Sequence, residues 1–458
     1  MPTEEQIRIK QEMLGNGITD HNGLSWLCSY MVTQAKAEPR ILPEEKEILR
    51  RYARRVAFYA DEAVQEERKE LWLRNRSLKE TRPLIFIDPE YAWYEIIPHT
   101  MLECTSNLAR IWEMRLRKEI CWQEHIRDDR VCTKDFPVCH IYSMTGLGIS
   151  QHTTRSGQAD GAYAIDTVLT DWDDLGKLKF RELSVDYEKT NQYLALAHDV
   201  FDGILNVTIN DSWWYSDSLT DTLLYFRGFQ NMMTDLIDYP DEVHALMAFL
   251  RDDQLHMLDQ LEREHLLTLN NKGEFIGTGG YGWCGELPGA DYDPSAITCK
   301  NLWGYCESQA SVSISPRMFD EYFLDYQIPI LDRFGLSFYG CCEDLDKRLK
   351  YIRSKVKNLR IVAVSPWSNA ESMASQIRGD YVYCWKQNPA LIAVEKPDWD
   401  AVRKELREVF RITAEYGCRV NVLMRDVRTL AFRPENASEW ARIAMEEANL
   451  YQARRIHR

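Results

Sequence analysis

The stretch LSFYGCCEDLDKRL, residues 336–349, contains the pattern on which the fold prediction rests. A short apolar run ends in a glycine, two adjacent cysteines and two acids, and a helix-like pattern follows at once. The preceding segment PRMFDEYFLDYQIPILDRFG, residues 316–335, also carries apolar residues at helical spacing. A short apolar strand between two helical segments is typical of a βαβ unit and therefore of a parallel sheet.

The same pattern recurs along most of the chain. Eight runs are short, rich in β-branched or aromatic residues, and bounded by glycine, proline or charge: RPLIFIDPEY (82–91), VCHIYSM (138–144), ILNVTIND (204–211), EFIGTGG (274–280), LSFYGCC (336–342), LRIVAVSP (359–366), YVYCWK (381–386) and RVNVLMRD (419–426). Helical patterns separate several of them. The alternation predicts an α/β fold, specifically a (β/α)8 TIM-type barrel over residues 81–458, with an open doubly wound sheet as the alternative.

The remaining sequence features narrow the class of protein. Residues 1–80 are helical in character and are predicted to form an N-terminal extension to the barrel. No G-x-G-x-x-G follows an early strand and no G-x-x-x-x-G-K-[ST] occurs, which weakens a nucleotide-binding interpretation. The net charge of -15 argues against nucleic acid or an anionic membrane as partner.

The N-terminus and the cysteine pattern indicate a cytoplasmic protein. The first residues are charged and have no apolar signal-peptide core, and no apolar run approaches the roughly 20 residues that span a bilayer. Twelve cysteines are scattered through the 458 residues without a dense framework. They are therefore expected to be reduced thiols, most of them buried.

The carboxyl ends of barrel strands are where catalytic residues gather, so the residues after each run are the candidate site. Polar candidates for catalysis are Asp211, Glu286 and Lys386. Aromatic side chains are frequent near the same ends and suit a broad, partly apolar ligand. The predicted substrate-binding residues are Trp213, Trp214, Tyr281, Trp283, Tyr339, Trp367 and His152. The alternative is that these tryptophans pack as lids over the core.

Thiols and carboxylates near the strand ends raise the question of a metal site. Zinc takes thiolate and carboxylate ligands, and the candidates are Cys342, Glu343, Cys284 and Asp426. Adjacent side chains diverge on a strand, so only one of Cys341 and Cys342 is expected to face the mouth. No C-x-x-C or H-x-x-x-H spacing is present. The alternative is a buried cysteine pair beside acids that cap a helix.

Three C-terminal segments together resemble the uroporphyrinogen decarboxylase superfamily, which includes cobalamin-dependent methyltransferases. They begin at ISPRMFDEYFLDYQ, NLRIVAVSPWSN and CRVNVLMRDVRTL, and the resemblance covers roughly residues 300–450. It implies a (β/α)8 barrel. The arginine-rich segment of the decarboxylase branch is absent, since RPLIFIDPEYAWYE stands in its place. The methyltransferase branch binds zinc through a His-x-Cys motif and a later cysteine. Here the histidine is missing, and Asp426 is the good ligand near the later position.

The resemblance implies a corrinoid-dependent methyltransferase. It would move a methyl group between a small methylated substrate (a methoxy aromatic, a methylamine or a thioether) and a corrinoid on a separate protein, with Zn²⁺ as the expected Lewis acid. No Asp-x-His-x-x-Gly cobalamin motif occurs in this chain. The alternatives are a metal-free decarboxylase or lyase of a small carboxylate and a non-catalytic barrel that binds a tetrapyrrole or corrinoid. A monomer and a homodimer are both compatible with the sequence.

Overall fold

The computed structural model describes residues 37–149, 153–155, 163–165, 167–213 and 216–456, and it shows a mixed α/β fold. Its helices are α1 (Pro43–Ala60), α2 (Ala63–Arg76), α3 (Trp93–Ile96), α4 (Asn107–Cys121), α5 (Tyr187–Phe201), α6 (Thr220–Asp238), α7 (Pro240–Arg263), α8 (Pro316–Phe319), α9 (Asp325–Leu331), α10 (Leu349–Lys355), α11 (Ala370–Ile377), α12 (Trp399–Glu415) and α13 (Glu435–Ile456). Its strands are β1 (Leu84–Ile87), β2 (Asp135–Val138), β3 (Tyr142–Met144), β4 (Thr153–Arg155), β5 (Tyr163–Ile165), β6 (Leu183–Val185), β7 (Asn206–Ile209), β8 (Trp303–Cys306), β9 (Leu336–Tyr339), β10 (Leu359–Val364), β11 (Val382–Lys386) and β12 (Arg419–Met424).

Two parallel sheets organise the fold. The larger has six strands in the order β1-β12-β11-β10-β9-β8, and all of its pairings are parallel. The smaller consists of β2 and β7, also parallel, while β3–β6 and β4–β5 are short antiparallel pairs. The prediction of an α/β fold with parallel strands is confirmed. In the part of the chain that the structure describes, no hydrogen-bonded ladder joins the two parallel sheets, so barrel closure stays a prediction.

Six of the eight predicted runs contain a parallel strand close to the expected position, and two predictions need correction. The run at 138–144 begins where β2 ends, because the parallel strand lies earlier, at 135–138, and β3 is an antiparallel excursion. The run at 274–280 is not a parallel strand at all. The strand in that part of the sheet is β8, whose sequence WGYC follows about 25 residues later along the chain.

The run at 274–280 is a tight hairpin for a conformational reason. Gly277 and Gly280 both have positive φ, +64° and +85°, a region in which residues with a Cβ are disfavoured. The chain therefore reverses, and Phe275 bridges Tyr281 in antiparallel fashion. The residues that follow the hairpin therefore run back toward the amino ends of the strands.

Both faces of the six-stranded sheet are buried, as expected for parallel strands covered on each side. In β1, Ile85 and Ile87 belong to the core beneath the outer helices, whereas Leu84 and Phe86 belong to a separate inner cluster. Helix α2 contributes Trp72 to that inner cluster. These strands read as continuous apolar runs because neither face meets water.

The N-terminal helices are partly accounted for. Helices α1 and α2 agree with the predicted helical character of residues 43–76, while residues 1–36 lie outside the described residues. Helix α1 packs on α4 in a cluster that also includes α5. The domain boundary near residue 80 stays a prediction. Among the helices that are described, none is both long and apolar enough to cross a bilayer.

Candidate functional site

One edge of the six-stranded sheet gathers the ionisable residues that follow its strands. Asp88 follows β1, residues 341–343 follow β9, Lys386 is the last residue of β11, and Asp426 follows β12. Because β1, β12 and β11 are parallel neighbours, their carboxyl ends lie side by side. In parallel α/β sheets this edge is where ligands bind, so the cluster occupies the expected place for a site.

Lys386 is the centre of this cluster. Its side chain is buried, with 3% of the residue exposed, and its Nζ lies 3.6 Å from the Cys341 Sγ and 3.9 Å from the Cys342 Sγ. The Cys342 thiol also donates to the Asp426 Oδ2 over 3.3 Å. The Lys386 ammonium group therefore faces two sulfurs. The solvent-exposed Asp426 carboxylate faces the outer of these, the Cys342 sulfur. We call Lys386, Cys341, Cys342 and Asp426 the thiol–lysine cluster.

The charges of the thiol–lysine cluster set its protonation. The hydrogen bond with Cys342 and the Lys386 ammonium together lower the pKa of Cys341 to about 6, against the opposing effect of burial. The hydrogen bond with Cys341 and burial together raise the pKa of Cys342. Burial opposes the charged form of Lys386, but the two sulfurs and Asp426 outweigh it and raise the pKa of the amine. At neutral pH the pair of thiols therefore shares one proton beside a charged lysine.

The turn after β9 places both sulfurs on the same side, which corrects the expectation that they diverge. The strand ends at Tyr339, so the cysteines lie in a bend rather than on a pleated strand. Gly340 has φ +99°, and a Cβ there would lie 2.7 Å from the Leu345 Cδ1, so glycine is required. The two sulfurs are then 3.6 Å apart.

Glu343, a predicted metal ligand, instead holds this turn together. Its Oε2 accepts a hydrogen bond from the backbone N–H of Cys341 over 2.8 Å, and its Oε1 accepts one from Ser308 over 3.0 Å. Both carboxylate oxygens are thus directed at the backbone, and the residue is buried. The capping alternative from the sequence describes this contact better than the metal-ligand prediction does.

A buried ion pair supports Asp426 from below. Arg425 and Glu90 form this pair, in which Arg425 is 2% exposed and Glu90 is 0% exposed. The other Glu90 oxygen accepts the backbone N–H of Asp426 over 2.8 Å. Glu90 and Asp426 both have positive φ, +43° and +61°, a strained conformation for residues other than glycine. Such strain is maintained only where surrounding contacts enforce it, and it is frequent at functional sites.

Cys284 and Glu286 do not reach this edge of the sheet. Glu286 forms a bidentate ion pair with Arg360, at 2.6 and 2.8 Å. Arg360 is the second residue of β10, so it lies near the amino end of that strand, about 15 Å from its carboxyl end. Cys284 is two residues from Glu286 and accepts its backbone N–H over 3.3 Å. The predicted grouping of these two residues with Cys342 is wrong because the hairpin at 277–280 reverses the chain.

Most of the predicted aromatic wall is packed into the core. Tyr281, Trp283 and Tyr339 are buried, and Trp213 is buried with its Nε1 donating to a backbone carbonyl over 3.0 Å. Trp367 differs, because it follows β10 and is 67% exposed. The packing alternative therefore describes the four buried side chains. Trp367 stays a candidate for contact with a substrate or partner.

Asp211 belongs to a separate arrangement at the carboxyl end of β7. It accepts a hydrogen bond from the His140 backbone N–H over 2.8 Å, and its Oδ2 is 2.6 Å from the His140 Nδ1. His140 follows β2, the strand paired with β7. Sequence reasoning missed this histidine, because the predicted run at 138–144 placed it inside a strand rather than after one. His152 and Trp214, two predicted substrate-binding residues, lie outside the described residues.

Glu307 is the strand-end carboxyl group that the sequence reasoning missed. It directly follows β8, is buried, and accepts the backbone N–H of Gln309 over 2.7 Å. Burial and the neighbouring Asp221, Glu343 and Cys341 charges raise its pKa well above the ordinary value. The signal was available, since Glu307 ends the apolar run WGYC as the other strand-end acids end theirs.

The residues present do not fit a zinc ion. Of the predicted ligands, Cys342 and Asp426 meet, while Glu343 is directed at the backbone and Cys284 lies at the other end of the sheet. Within the described ranges, no group of three or more His, Cys, Asp or Glu side chains could hold a metal ion. Structural and catalytic zinc sites use at least three protein ligands. Lys386 places its own positive charge against the two sulfurs instead.

Comparison with known proteins gives a match at the level of structure. No protein-family model matches the chain, and no curated protein matches it. A solved structure of a methyltransferase from Methanosarcina mazei is similar, with a TM-score of 0.44 and 10% sequence identity. The match covers 83% of this chain and 98% of that chain. At this similarity the match carries no argument about activity, so a functional proposal has to be argued from the site residues.

Proposed function

We propose that the chain is a methyltransferase that transfers a methyl group from a small methylated substrate to a corrinoid on a separate protein. The observation that carries the proposal is the buried Lys386 ammonium, 3.6 and 3.9 Å from two sulfurs at the carboxyl edge of the sheet. A methyl group leaves oxygen, nitrogen or sulfur readily only when the leaving atom is protonated or receives a positive partner. The thiol–lysine cluster offers a proton and a positive charge in one place.

The proposal assigns the positive partner to Lys386 rather than to zinc. In the transfer, the carbon–heteroatom bond of the substrate breaks, the methyl group goes to the acceptor, and the leaving atom takes the bonding pair. The corrinoid, when its protein is docked, supplies the nucleophile. Lys386 or the thiol beside it then donates a proton to the leaving atom. A general acid in this position contributes typically about 10²–10⁴-fold to a rate.

Asp426 and Cys342 have positioning roles in this proposal. The Asp426 carboxylate accepts a hydrogen bond from the Cys342 thiol, which keeps that sulfur oriented toward the cluster. Burial would raise the pKa of Asp426, but Lys386 and Arg425 outweigh burial and hold it below its usual value. Asp426 is therefore ionised at neutral pH and stabilises the Lys386 ammonium between turnovers. Asp211 remains a proposed polar residue on the neighbouring sheet, with His140 as its partner.

The finer description of the fold and the partners also belongs to this proposal. We infer a (β/α)8 barrel in which β1, β2, β7, β8, β9, β10, β11 and β12 are the eight strands. Eight parallel strands in sequence order support it, as does the resemblance over residues 300–450. In such a barrel the carboxyl ends of β2 and β7 would lie at the same rim as the thiol–lysine cluster, and substrate would enter at this mouth.

Replacing Cys342 by Ala, or Asp426 by Asn, is expected to lower methyl transfer at least about tenfold, because the first change removes the outer sulfur and the second replaces the carboxylate that accepts its hydrogen bond by a neutral amide. The assay supplies a methoxy aromatic, a methylamine or a thioether and follows methylation of free reduced cobalamin by its absorbance. Cys284→Ala is the matched control. It also removes a buried thiol, but at the other end of the sheet, and it should retain full activity.

Three results would contradict the proposal. The first is full activity in both the Cys342 and the Asp426 variants while their urea unfolding curves match the wild type. The second is release of carbon dioxide from a small carboxylate without any corrinoid, which would favour the decarboxylase alternative. Binding of cobalamin with a spectral shift but no turnover on any of the three donors would favour the non-catalytic alternative.

A further inference from the structure

Cys341 and Cys342 are placed to react with each other as well as with a substrate. Their sulfurs are 3.6 Å apart, and either sulfur can donate a hydrogen to the other. A disulfide requires the sulfurs to approach to about 2 Å, and between adjacent cysteines it closes a strained ring, which makes the bond easier to reduce again. Cys342 is partly exposed, so a small molecule in the mouth reaches its sulfur. The Lys386 ammonium beside both sulfurs favours a thiolate, which is the reactive form.

We propose that the Cys341–Cys342 pair is a thiol modification site that low-molecular-weight disulfides oxidise reversibly to a vicinal disulfide. The oxidant is a compound of the type R–S–S–R, which the pair reduces to two thiols. The inference deepens the proposed function because it assigns a regulatory reaction to the same cluster. The disulfide itself forms whether or not the chain transfers methyl groups.

The other cysteines of the described part of the chain lack this arrangement. They are all buried, and burial raises the pKa of most of them, as it does for Cys132 and Cys299. Cys284 serves as the control cysteine, because it is also a buried thiol and burial raises its pKa. Selective oxidation is therefore expected at the vicinal pair, where charge and access coincide.

The reaction balances in two exchange steps. In the first, the proton of the pair moves from Cys342 to the Cys341 sulfur, the resulting Cys342 thiolate attacks R–S–S–R, the mixed disulfide Cys342–S–S–R forms, and one R–S⁻ leaves. That thiolate takes the proton shared by the pair, so Cys341 becomes the thiolate. In the second step the Cys341 sulfur attacks the Cys342 sulfur, the intramolecular bond forms, and a second R–S⁻ leaves. Two electrons pass from the pair to the external disulfide.

Oxidation would remove the acidic proton of the cluster and leave the Lys386 ammonium without a thiolate partner. On the proposed function, methyl transfer therefore stops in the oxidised chain and returns on reduction. The peptide bond between the two cysteines keeps the new ring small, so the change is confined to the turn between Gly340 and Glu343. Glu343 still caps the turn through the Cys341 backbone N–H.

The test uses the full chain, oxidised glutathione and mass spectrometry. Reduced protein is incubated with an excess of oxidised glutathione, the remaining thiols are alkylated under non-denaturing and then denaturing conditions, and the fragment around residues 336–349 is mapped. The expected result is joint loss of alkylation at Cys341 and Cys342, a mass lower by two hydrogen atoms, and no retained glutathione. Dithiothreitol restores alkylation of both.

Two variants separate this reaction from general thiol oxidation. Cys341→Ser removes the resolving thiol, so a glutathione adduct should persist on Cys342, whereas Cys284→Ser should behave as the wild type. A stable glutathione adduct on wild-type Cys342, or full alkylation of both cysteines after treatment, would overturn the inference. Methyl transfer is measured in parallel. Disulfide formation in a chain inactive on every donor leaves this inference standing while the proposed function fails.

Discussion

Lys386→Met is expected to lower methyl transfer by about 10²–10⁴-fold, the range for loss of a positioned general acid, without unfolding the chain. The variant removes the ammonium that lies 3.6 Å from the Cys341 sulfur, and methionine occupies a similar volume in the buried site. Removing one partner of a buried ion pair is usually destabilising, but here the thiol pair can bind a second proton, so no uncompensated charge remains on the buried Cys341 sulfur. The assay is methylation of free reduced cobalamin, with urea unfolding measured in parallel.

A second readout tests whether the lysine acts through the charge of the thiols. The pKa of Cys341 is lowered to about 6 in the wild type, first by Cys342 and then by Lys386 against burial. In Lys386→Met that pKa should rise, and once it exceeds 7, alkylation of the pair at pH 7 should slow about tenfold for each further unit. Lys396→Met, at an exposed lysine of the same chain, is the matched control and should change neither rate. Wild-type turnover in the Lys386 variant would contradict the assigned role.

The strands that the sequence predicted well are those whose runs were long enough to be unambiguous. β10, β11 and β12 have five or six residues, and a polar residue lies at or directly after the carboxyl end of each, namely Ser365, Lys386 and Arg425. β8 was missed because WGYC is a fully buried run of four residues, which has neither the alternation of a half-exposed strand nor a distinctive length. The glycine-rich run at 274–280 resembled a strand in composition, but the chain reverses direction within it.

The site was predictable to the extent that it depends on strand ends. Lys386 was identified because it is the last residue of β11, and Asp426 and Cys342 because they lie within three residues after β12 and β9. The pairing of Cys341 with the same lysine was not predictable, since it depends on the bend that begins at Gly340. The position of Cys284 was predicted wrongly because the chain reverses at Gly277, which also has positive φ. In both cases a single left-handed backbone residue decided which side chains meet.

Arg425→Met is expected to lower the free energy of unfolding by about 3–5 kcal/mol at pH 8, the usual cost of removing one partner of a buried ion pair. The change leaves Glu90 buried beside Asp88, whose Oδ2 has no hydrogen-bond partner within the described structure. It also releases the turn at Gly277, whose carbonyl accepts an Arg425 N–H over 3.1 Å. Urea unfolding at pH 5 and pH 8 measures the loss, with methyl transfer as a second readout because Asp426 is held by Glu90.

The sign of the pH dependence follows from Glu90. Burial raises the pKa of Glu90 from 4.5 to about 7, even though Arg425 opposes the rise. The folded chain therefore keeps a proton that the unfolded chain loses, and the stability that this proton provides is lost as pH rises from 4.5 through 7. Without Arg425 the pKa of Glu90 rises further, so the deficit of the variant should grow between pH 5 and pH 8. The double variant Glu90→Gln/Arg425→Met lacks both charges of the buried ion pair and should recover part of the stability loss at pH 8. A deficit equal at both pH values, and unchanged in the double variant, would show that the ion pair does not set the stability of the strand ends.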